Sequence, residues 1–538
     1  GKVGTPSSLP LEATSKLSLD SMEKIEAMST SLASPDSMAS LSPDSMEKID
    51  VLVVGCGISG ISAAYHISKH CRGTTFAVLE RRAKLGGTWS FFKYPGIRTD
   101  SDVFSFGFGW KRWESDNIVA PAKDICQYLD DAVDEHGLRQ HIRLNTDVVS
   151  ASFSSATQRW TVTTGAGGTI VCRFLILTTG YYQYEKPHMP AFDGSDRFQG
   201  TFVHSQQWPE SLDVAGKRVI VIGSGATAVT MVPALIDSGA TSVVMLQRSP
   251  SYYYVAPKHK KDRALSVLER LFGARIGYFL QKWLTILQGA VVYAYAQWFR
   301  AAAKQRFIAE ARKLCPDHVD ADTHFSPSYG VWDQRLCLDP DGSLFAALRT
   351  GRASVVTDHV ARFVESGVCT GGGEVLEADI VVSATGLTLQ HNFPMSTMKV
   401  SVDGVPYDAP NHFVFRGCML SGVPNLFYIL GYTNASWTLR ADMMARYFCD
   451  MINYLGRHGM GMLCPCADGV EESQAVPFNL SSGYVTRNRG RFPKLGGAQP
   501  WGTVQSFFSE LWRFKVRTFS ELQWIKFTPA AARVAAGA

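Results

Sequence analysis

Two segments of this 538-residue chain carry glycines at the spacing that lets a backbone wrap a pyrophosphate. In the first, IDVLVVGCGISGISAAYHI from Ile49, an apolar strand pattern runs into Gly55, Gly57 and Gly60 and continues as a helix. Gly55 permits the tight turn, Gly57 lets the backbone approach the phosphates, and Gly60 lets helix and strand pack closely. The helix start, with Ile58 and Ser59, would face the anion. A second strand, TTFAVLE, ends at Glu80, 25 residues after Gly55 and suited to accept hydrogen bonds from a ribose. The segment GKRVIVIGSGATAVTMVPAL repeats the pattern with Gly223, Gly225 and Ala228, so Ser224, Ala226 and Thr227 occupy the turn and the helix start. Its next strand ends in Gln247, Arg248 and Ser249, with Arg248 again 25 residues after the first glycine. A guanidinium there pairs with a 2′-phosphate that an acid would repel, which predicts NADPH rather than NADH.

Two nucleotides in one chain imply hydride transfer from a nicotinamide to a flavin, the alternative being that one unit is a structural relic. Gly86, Gly87, Thr88 and Trp89, followed by Tyr94 to Asp100, form a further candidate loop after Glu80. From spacing alone a flavin and a nicotinamide fit that first unit equally. Between the two turns lies FQGTFVHSQQWPE, in which Phe198, Gly200, His204, Trp208 and Pro209 spell FxGxxxHxxxWP. On physical grounds alone, this histidine reads as an ordinary hydrogen-bonded core residue.

The elements that must position these groups are those of α/β domains. A chain of this length fits two or three domains with a sizeable core. Apolar residues are 46% of the chain and charged residues 19%, and a net charge of +5 is no nucleic-acid footprint. The eleven cysteines show no CxxC; Cys464 and Cys466 form a CxC, and the set reads as mostly buried thiols of a reducing compartment. The first 46 residues nearly repeat themselves (SLDSMEKIEAM, SPDSMEKIDVL) and carry few aromatic or branched apolar residues, which predicts a disordered tail. Its acids argue against a transit peptide, and the lack of an apolar stretch argues against a secretory signal, so the expected setting is cytoplasmic. The uncharged run Trp283 to Phe299 falls at or below the length of a bilayer span and is expected to be a buried or half-buried helix. The aromatic and basic stretch Trp501 to Phe527 is expected to pack on the body of the protein, with peripheral contact to a membrane surface as the alternative.

The FxGxxxHxxxWP pattern between two dinucleotide turns resembles type I Baeyer–Villiger monooxygenases, of the class B flavoprotein monooxygenases; related N- and S-oxygenating enzymes usually carry Tyr or Phe where this chain has Trp208. YPGIRTDSD at Tyr94, RSPSYY at Arg248, YGVWDQRLC at Tyr329, SATGL at Ser383 and SGVPNLFYILGYTNASWTL at Ser421 are similar to the ethionamide-activating branch, and the likeness spans about residues 49 to 495. The resemblance implies FAD at the first turn, with Gly87, Thr88, Trp89 and Asp100 beside it, and NADPH at the second. It implies Arg335 and Asp100 as the catalytic pair, the aspartate orienting the arginine. It makes Phe198, Gly200, His204 and Trp208 a motif coupling the domains away from the chemistry. Thr179–Gly180 and Thr385–Gly386 match the strand ends that link the nucleotide domains.

The implied architecture is α/β with two Rossmann-like domains: FAD-binding segments at 47–200 and 376–500, an NADPH domain at 201–375 with a helical insertion about 258–325, and an extension at 501–538. The implied reaction is insertion of one oxygen of dioxygen beside a ketone carbonyl, through a flavin peroxide, to give an ester or lactone; sulfides and thioamides are further substrates, and no metal is called for. The alternatives are a flavin S- or N-oxygenase, a disulfide reductase, which the missing CxxC opposes, and a non-catalytic nucleotide-sensing flavoprotein.

Overall fold

The apolar runs around the two glycine turns become parallel strands buried on both faces, as their near-continuous Val, Ile and Leu content requires. In the computed structural model, which describes residues 46–257, 263–475, 482–502 and 505–531, strand β1 (Glu47–Val54) leads into helix α1 (Ile58–His70) and strand β2 (Phe76–Leu79). The chain divides into a short N-terminal unit, Gly1–Glu47, and a main unit, Lys48–Ala538. The tail expected to be disordered lies outside the described residues apart from its end.

β1 pairs in parallel with β2, Val51 opposite Phe76 and Val54 opposite Leu79. They belong to a nine-stranded mixed sheet, in which Val148–Ser154, Arg159–Thr164 and Thr169–Leu177 form an antiparallel run, and Leu426–Tyr428 adds in parallel to the last of these. The second turn lies between β3 (Arg218–Ile222) and helix α2 (Ala226–Asp237), which is followed by β4 (Ser242–Gln247). These strands sit in a separate five-stranded parallel sheet with Ala353–Thr357, Ile380–Ser383 and Thr201–His204. The strand Ile380–Ser383 therefore joins the second sheet, and the chain returns to the first sheet after Ser383, a few residues beyond the 375/376 boundary read from sequence.

Inside the expected helical insertion, α3 (Arg263–Trp298) is broken at Gly273, where φ is 79°, and Arg300–Leu314 follows as a second helix. Late in the chain, α4 (Trp437–Arg457) packs against α1 and buries Met444, Tyr447, Phe448 and Met451 in the core beneath the first sheet. The final segment supplies α5 (Phe507–Lys515) and a strand, Ile525–Pro529, that pairs antiparallel with Met460–Pro465. Two ion pairs that are almost fully enclosed fasten it. Arg440 donates to Glu510 at 2.7 Å, with Tyr432 Oη on the other carboxylate oxygen at 2.6 Å, and Arg416 meets Glu521 at 3.1 Å. All eleven cysteines are free thiols, seven of them buried. Among the described residues no helix is long and apolar enough to cross a membrane, and no group of three His, Cys, Asp or Glu side chains could hold a metal ion.

Candidate active site

The first turn is crowded on every side. Gly55 has φ of 103°, and a Cβ there would stand 2.7 Å from the Thr178 carbonyl oxygen; one on Gly60 would stand 2.0 Å from that of Gly55. Gly57 caps α1 and lies face to face with Gly87, whose own Cβ would reach the Gly57 Cα at 2.9 Å. The paired-glycine loop is thus folded onto the turn, with Gly86 N–H donating to the Cys56 carbonyl at 2.9 Å. Glu80, at the end of β2, is buried and accepts from Cys56 N–H at 2.9 Å and Arg82 N–H at 3.1 Å. Each carboxylate oxygen retains a lone pair for a ribose hydroxyl. Arg82, which sequence reasoning missed, ties the parts together: its guanidinium lies 3.5 Å from Glu80 and donates to the Gly87 carbonyl at 2.7 Å. Thr88 shares a 3.0 Å hydrogen bond with Tyr184, and Ser59 accepts from Trp437 Nε1 at 2.8 Å.

The second turn is built alike but stands open. Gly223 has φ of 141° and a Cβ there would meet the Ala384 carbonyl oxygen at 2.5 Å, whereas a Cβ on Gly225 would have no neighbour within 4 Å. Ser224 Oγ donates to the Ser249 carbonyl at 2.8 Å, fixing the turn to the loop after β4. Arg248 in that loop is exposed. Arg487, far along the chain, has its pKa lowered by burial and then by Arg248, so two guanidiniums share this surface. Like charges held together favour an anion between them, which fits a 2′-phosphate.

A cavity of about 1070 Å³ joins the two regions, lined by Gly55, Gly57, Ile58, Ser59, Glu80, Gly87, Thr88 and Trp89 on one side and by Ala226 and Thr227 of α2 on the other. Such a lining suits a long nucleotide: small residues where a backbone must approach phosphates, and a carboxylate where a sugar would sit. Arg335 and Asp100 share the same wall. Arg335 Nη1 stands 3.5 Å from Asp100 Oδ2, and Nη2 donates to Tyr181 Oη at 3.1 Å. The side chains are 30% and 40% exposed, both facing the cavity they line. Tyr181 in turn stacks on Trp437 at 5.4 Å, so the arginine is linked by way of aromatic rings to the first turn.

Loops on both sides hold this pair. Asp333 accepts from Arg300 at 2.7 Å and from Gly330 N–H at 2.8 Å, and Tyr252 Oη donates to the Tyr329 carbonyl at 2.6 Å. The Tyr94–Asp100 loop packs on α2, where a Cβ on Gly96 would stand 2.8 Å from the Thr230 carbonyl oxygen. His204 ends a strand of the second sheet, buried, with Nδ1 accepting from Gln206 N–H at 3.0 Å and its pKa lowered by burial. Gln206 Nε2 then donates to the carbonyls of Gln183 and Tyr184. Phe198 packs with Ile220, Phe363 and Val381, Gly200 lies against Asp379, and Trp208 packs on the core of the second sheet. Ser205 is the residue of this loop that lines the cavity.

Three comparisons bear on these features. The family described as pyridine nucleotide-disulphide oxidoreductase matches residues 52–262. The FAD-containing monooxygenase EthA of Mycobacterium tuberculosis is 41% identical over 468 residues, covering 86% of this chain and 95% of its own length. Among solved structures, an oxidized steroid monooxygenase bound to NADP superposes with a TM-score of 0.73 at 22% identity, covering 90% of this chain and all of its own. A cyclohexanone-bound cyclohexanone monooxygenase does so with a TM-score of 0.70 at 19% identity over the same shares. Both structures share the fold built from two dinucleotide-binding domains.

Proposed function

The chain belongs to the FAD-containing monooxygenases, and from that premise we propose that it is an NADPH-dependent Baeyer–Villiger enzyme. The net reaction joins a ketone, dioxygen, NADPH and a proton to give an ester or lactone, NADP⁺ and water. FAD is assigned to the nine-stranded sheet and first turn, with Gly55, Gly57, Ile58, Ser59, Gly60, Glu80, Gly87, Thr88 and Trp89 around it. NADPH is assigned to the five-stranded sheet, with Gly223, Ser224, Gly225, Ala226, Thr227, Arg248 and Ser249. When bound, the two cofactors supply the hydride and the activation of dioxygen.

The observation that carries this reading is Arg335 on the cavity wall, held by Asp100 and Tyr181 and flanked by both nucleotide units. A guanidinium stays charged at any accessible pH and gives up no proton. Arg335 therefore holds negative charge beside a ketone carbonyl, and the same N–H groups stabilise the oxyanion that forms when the carbonyl is attacked. Asp100 is a positioning residue: it fixes the guanidinium plane through a charge-assisted contact. The His204–Gln206 link runs from the second sheet to the Gln183–Tyr184 segment and couples the two domains. Peripheral membrane contact of the aromatic and basic C-terminal stretch is a separate reading that does not depend on this reaction.

The test is Arg335→Ala. NADPH should still reduce the flavin anaerobically, while ester formation from a ketone panel falls by roughly 10²–10³, the usual cost of losing one oxyanion donor. Retained ester formation overturns the assignment of the arginine. Sulfoxide without ester, from a substrate bearing both groups, turns the reading toward an S-oxygenase.

A further inference from the structure

Helix α3 turns an apolar stripe toward solvent. Beyond the break at Gly273, Ile276, Phe279, Leu284, Leu287, Val291 and Trp298 fall on one side of the helix and are exposed, Leu287 by 50% and Trp298 by 80%. The helix is not loose. Its other side is pinned by Lys282, which donates to the Gly107 carbonyl at 2.8 Å, and by Tyr278, which accepts from Trp113 N–H at 3.1 Å. Helix α5 lies alongside, with the Trp283 ring 5.9 Å from Phe507 and 6.5 Å from Phe508. It extends the surface through Phe508, Trp512 and Val516, the last two exposed by 50% and 69%. Single exposed apolar residues are ordinary; a continuous stripe on two adjoining helices marks a docking surface.

Cations border it, and Glu269, the acid of α3, is paired with Arg112 at 2.7 Å. Between Arg270 and Arg300 there is no acid. The acids of 505–531 are Glu510 and Glu521, and both are taken up by the enclosed Arg440 and Arg416. Arg270, Arg275, Lys515 and Arg517 are left exposed, Arg517 lying over the Trp512 ring at 5.5 Å. Apolar and indole side chains bordered by cations match an anionic lipid surface. A second copy of the chain would set like-charged margins against each other.

We propose that this surface docks the protein, without spanning, on an anionic lipid bilayer, and that the cavity takes lipid-soluble ketones from that bilayer. Trp298 and Phe508 belong to the exposed surface and to the cavity wall at once, so the cavity mouth opens onto the docking face. The substrate half of the proposal rests on the oxygenase reading; the docking half does not.

The experiment is vesicle flotation of the full-length holoenzyme. It should float with equimolar phosphatidylcholine–phosphatidylglycerol vesicles, less with phosphatidylcholine alone, and less at high salt. The triple variant Leu284→Ser, Leu287→Ser, Val291→Ser, whose side chains lie outside the cavity wall, should lose roughly tenfold or more of the bound fraction. It should keep its circular dichroism and its turnover of a small water-soluble ketone, while losing turnover of a long-chain ketone dissolved in vesicles. Lys515→Gln with Arg517→Gln should weaken binding several-fold. Wild-type protein remaining in the aqueous phase overturns the docking proposal, as does a dimer in light scattering that the triple variant dissociates while vesicles capture nothing. Vesicle binding without oxidation of any ketone overturns the oxygenase reading and leaves docking standing.

Discussion

The two glycine turns share one sequence grammar and differ in how tightly the rest of the molecule closes on them. Around the first, the Gly86–Gly87 loop folds onto Gly57, and Glu80 is buried among backbone N–H groups while Arg82 bridges the two. Around the second, Gly225 faces open space and Arg248 is exposed. An enclosed site suits a cofactor that stays through every turnover, and an open one suits a cofactor that must leave after giving up its hydride. The difference lies in the residues that follow each turn: Glu80, Arg82 and a glycine loop close the first, while Arg248 stays exposed beside the second.

Substitutions on the two sides should therefore separate cleanly. The largest effect is expected for Gly60→Val, where the new side chain would overlap the Gly55 carbonyl oxygen. The purified protein should lose its yellow colour and melt far below wild type; bound flavin at wild-type occupancy would break the comparison. Next is Arg248→Ala, which under the proposed assignment removes one charge-assisted contact to the 2′-phosphate, of about 1.5–3 kcal/mol. The KM for NADPH should rise some tenfold to a hundredfold, on the order of that energy, with the KM for NADH unchanged and flavin content intact. Gly225→Ala is milder. Its Cβ meets no protein atom within 4 Å, so melting should be unaffected while NADPH binding weakens, as isothermal titration would show.

The smallest effect is pH-dependent and belongs to the whole fold. Burial lowers the pKa of His70, His136, His188, His204, His324 and His412 below the usual 6.5. Between the lowered values and 6.5 the unfolded chain binds more protons than the folded one, so this stability is present above 6.5 and is lost as pH falls below it. Melting temperature should drop modestly from pH 7.5 to 5.5. His204→Gln, which removes one of the six, should flatten that slope slightly.

Much of this was legible in the sequence because glycine turns are local: Gly55 to Glu80 and Gly223 to Arg248 each encode strand, turn, helix and terminal side chain in one short stretch. The pairing of Arg335 with Asp100 was legible only through resemblance, since 235 positions separate them and no periodicity links them. Tyr181 and Arg82 carried no signal, and Trp437 was visible only as part of the Tyr432–Trp437 stretch expected to line or close the pocket, which does line the cavity. The run Trp283 to Phe299 reads as a buried or half-buried helix, and the structure gives the half-buried form. Hydrophobicity alone does not say which half a helix turns inward; here Lys282 and Tyr278 decide it by anchoring the other side.

The enclosed Arg440–Glu510 pair bears on the order of events during synthesis. Both sheets, both glycine turns and Arg335 leave the ribosome before Glu510 does. Until Glu510 arrives, the guanidinium of Arg440 has no carboxylate to meet, and Phe507 and Phe508 are missing from the cavity wall. The segment that carries Phe507, Phe508 and Glu510 thus completes both the cavity wall and the enclosed charge pair after both turns are made. The final segment works as a closing latch: it brings Glu510 to Arg440 and adds Phe507 and Phe508 to one side of the cavity wall.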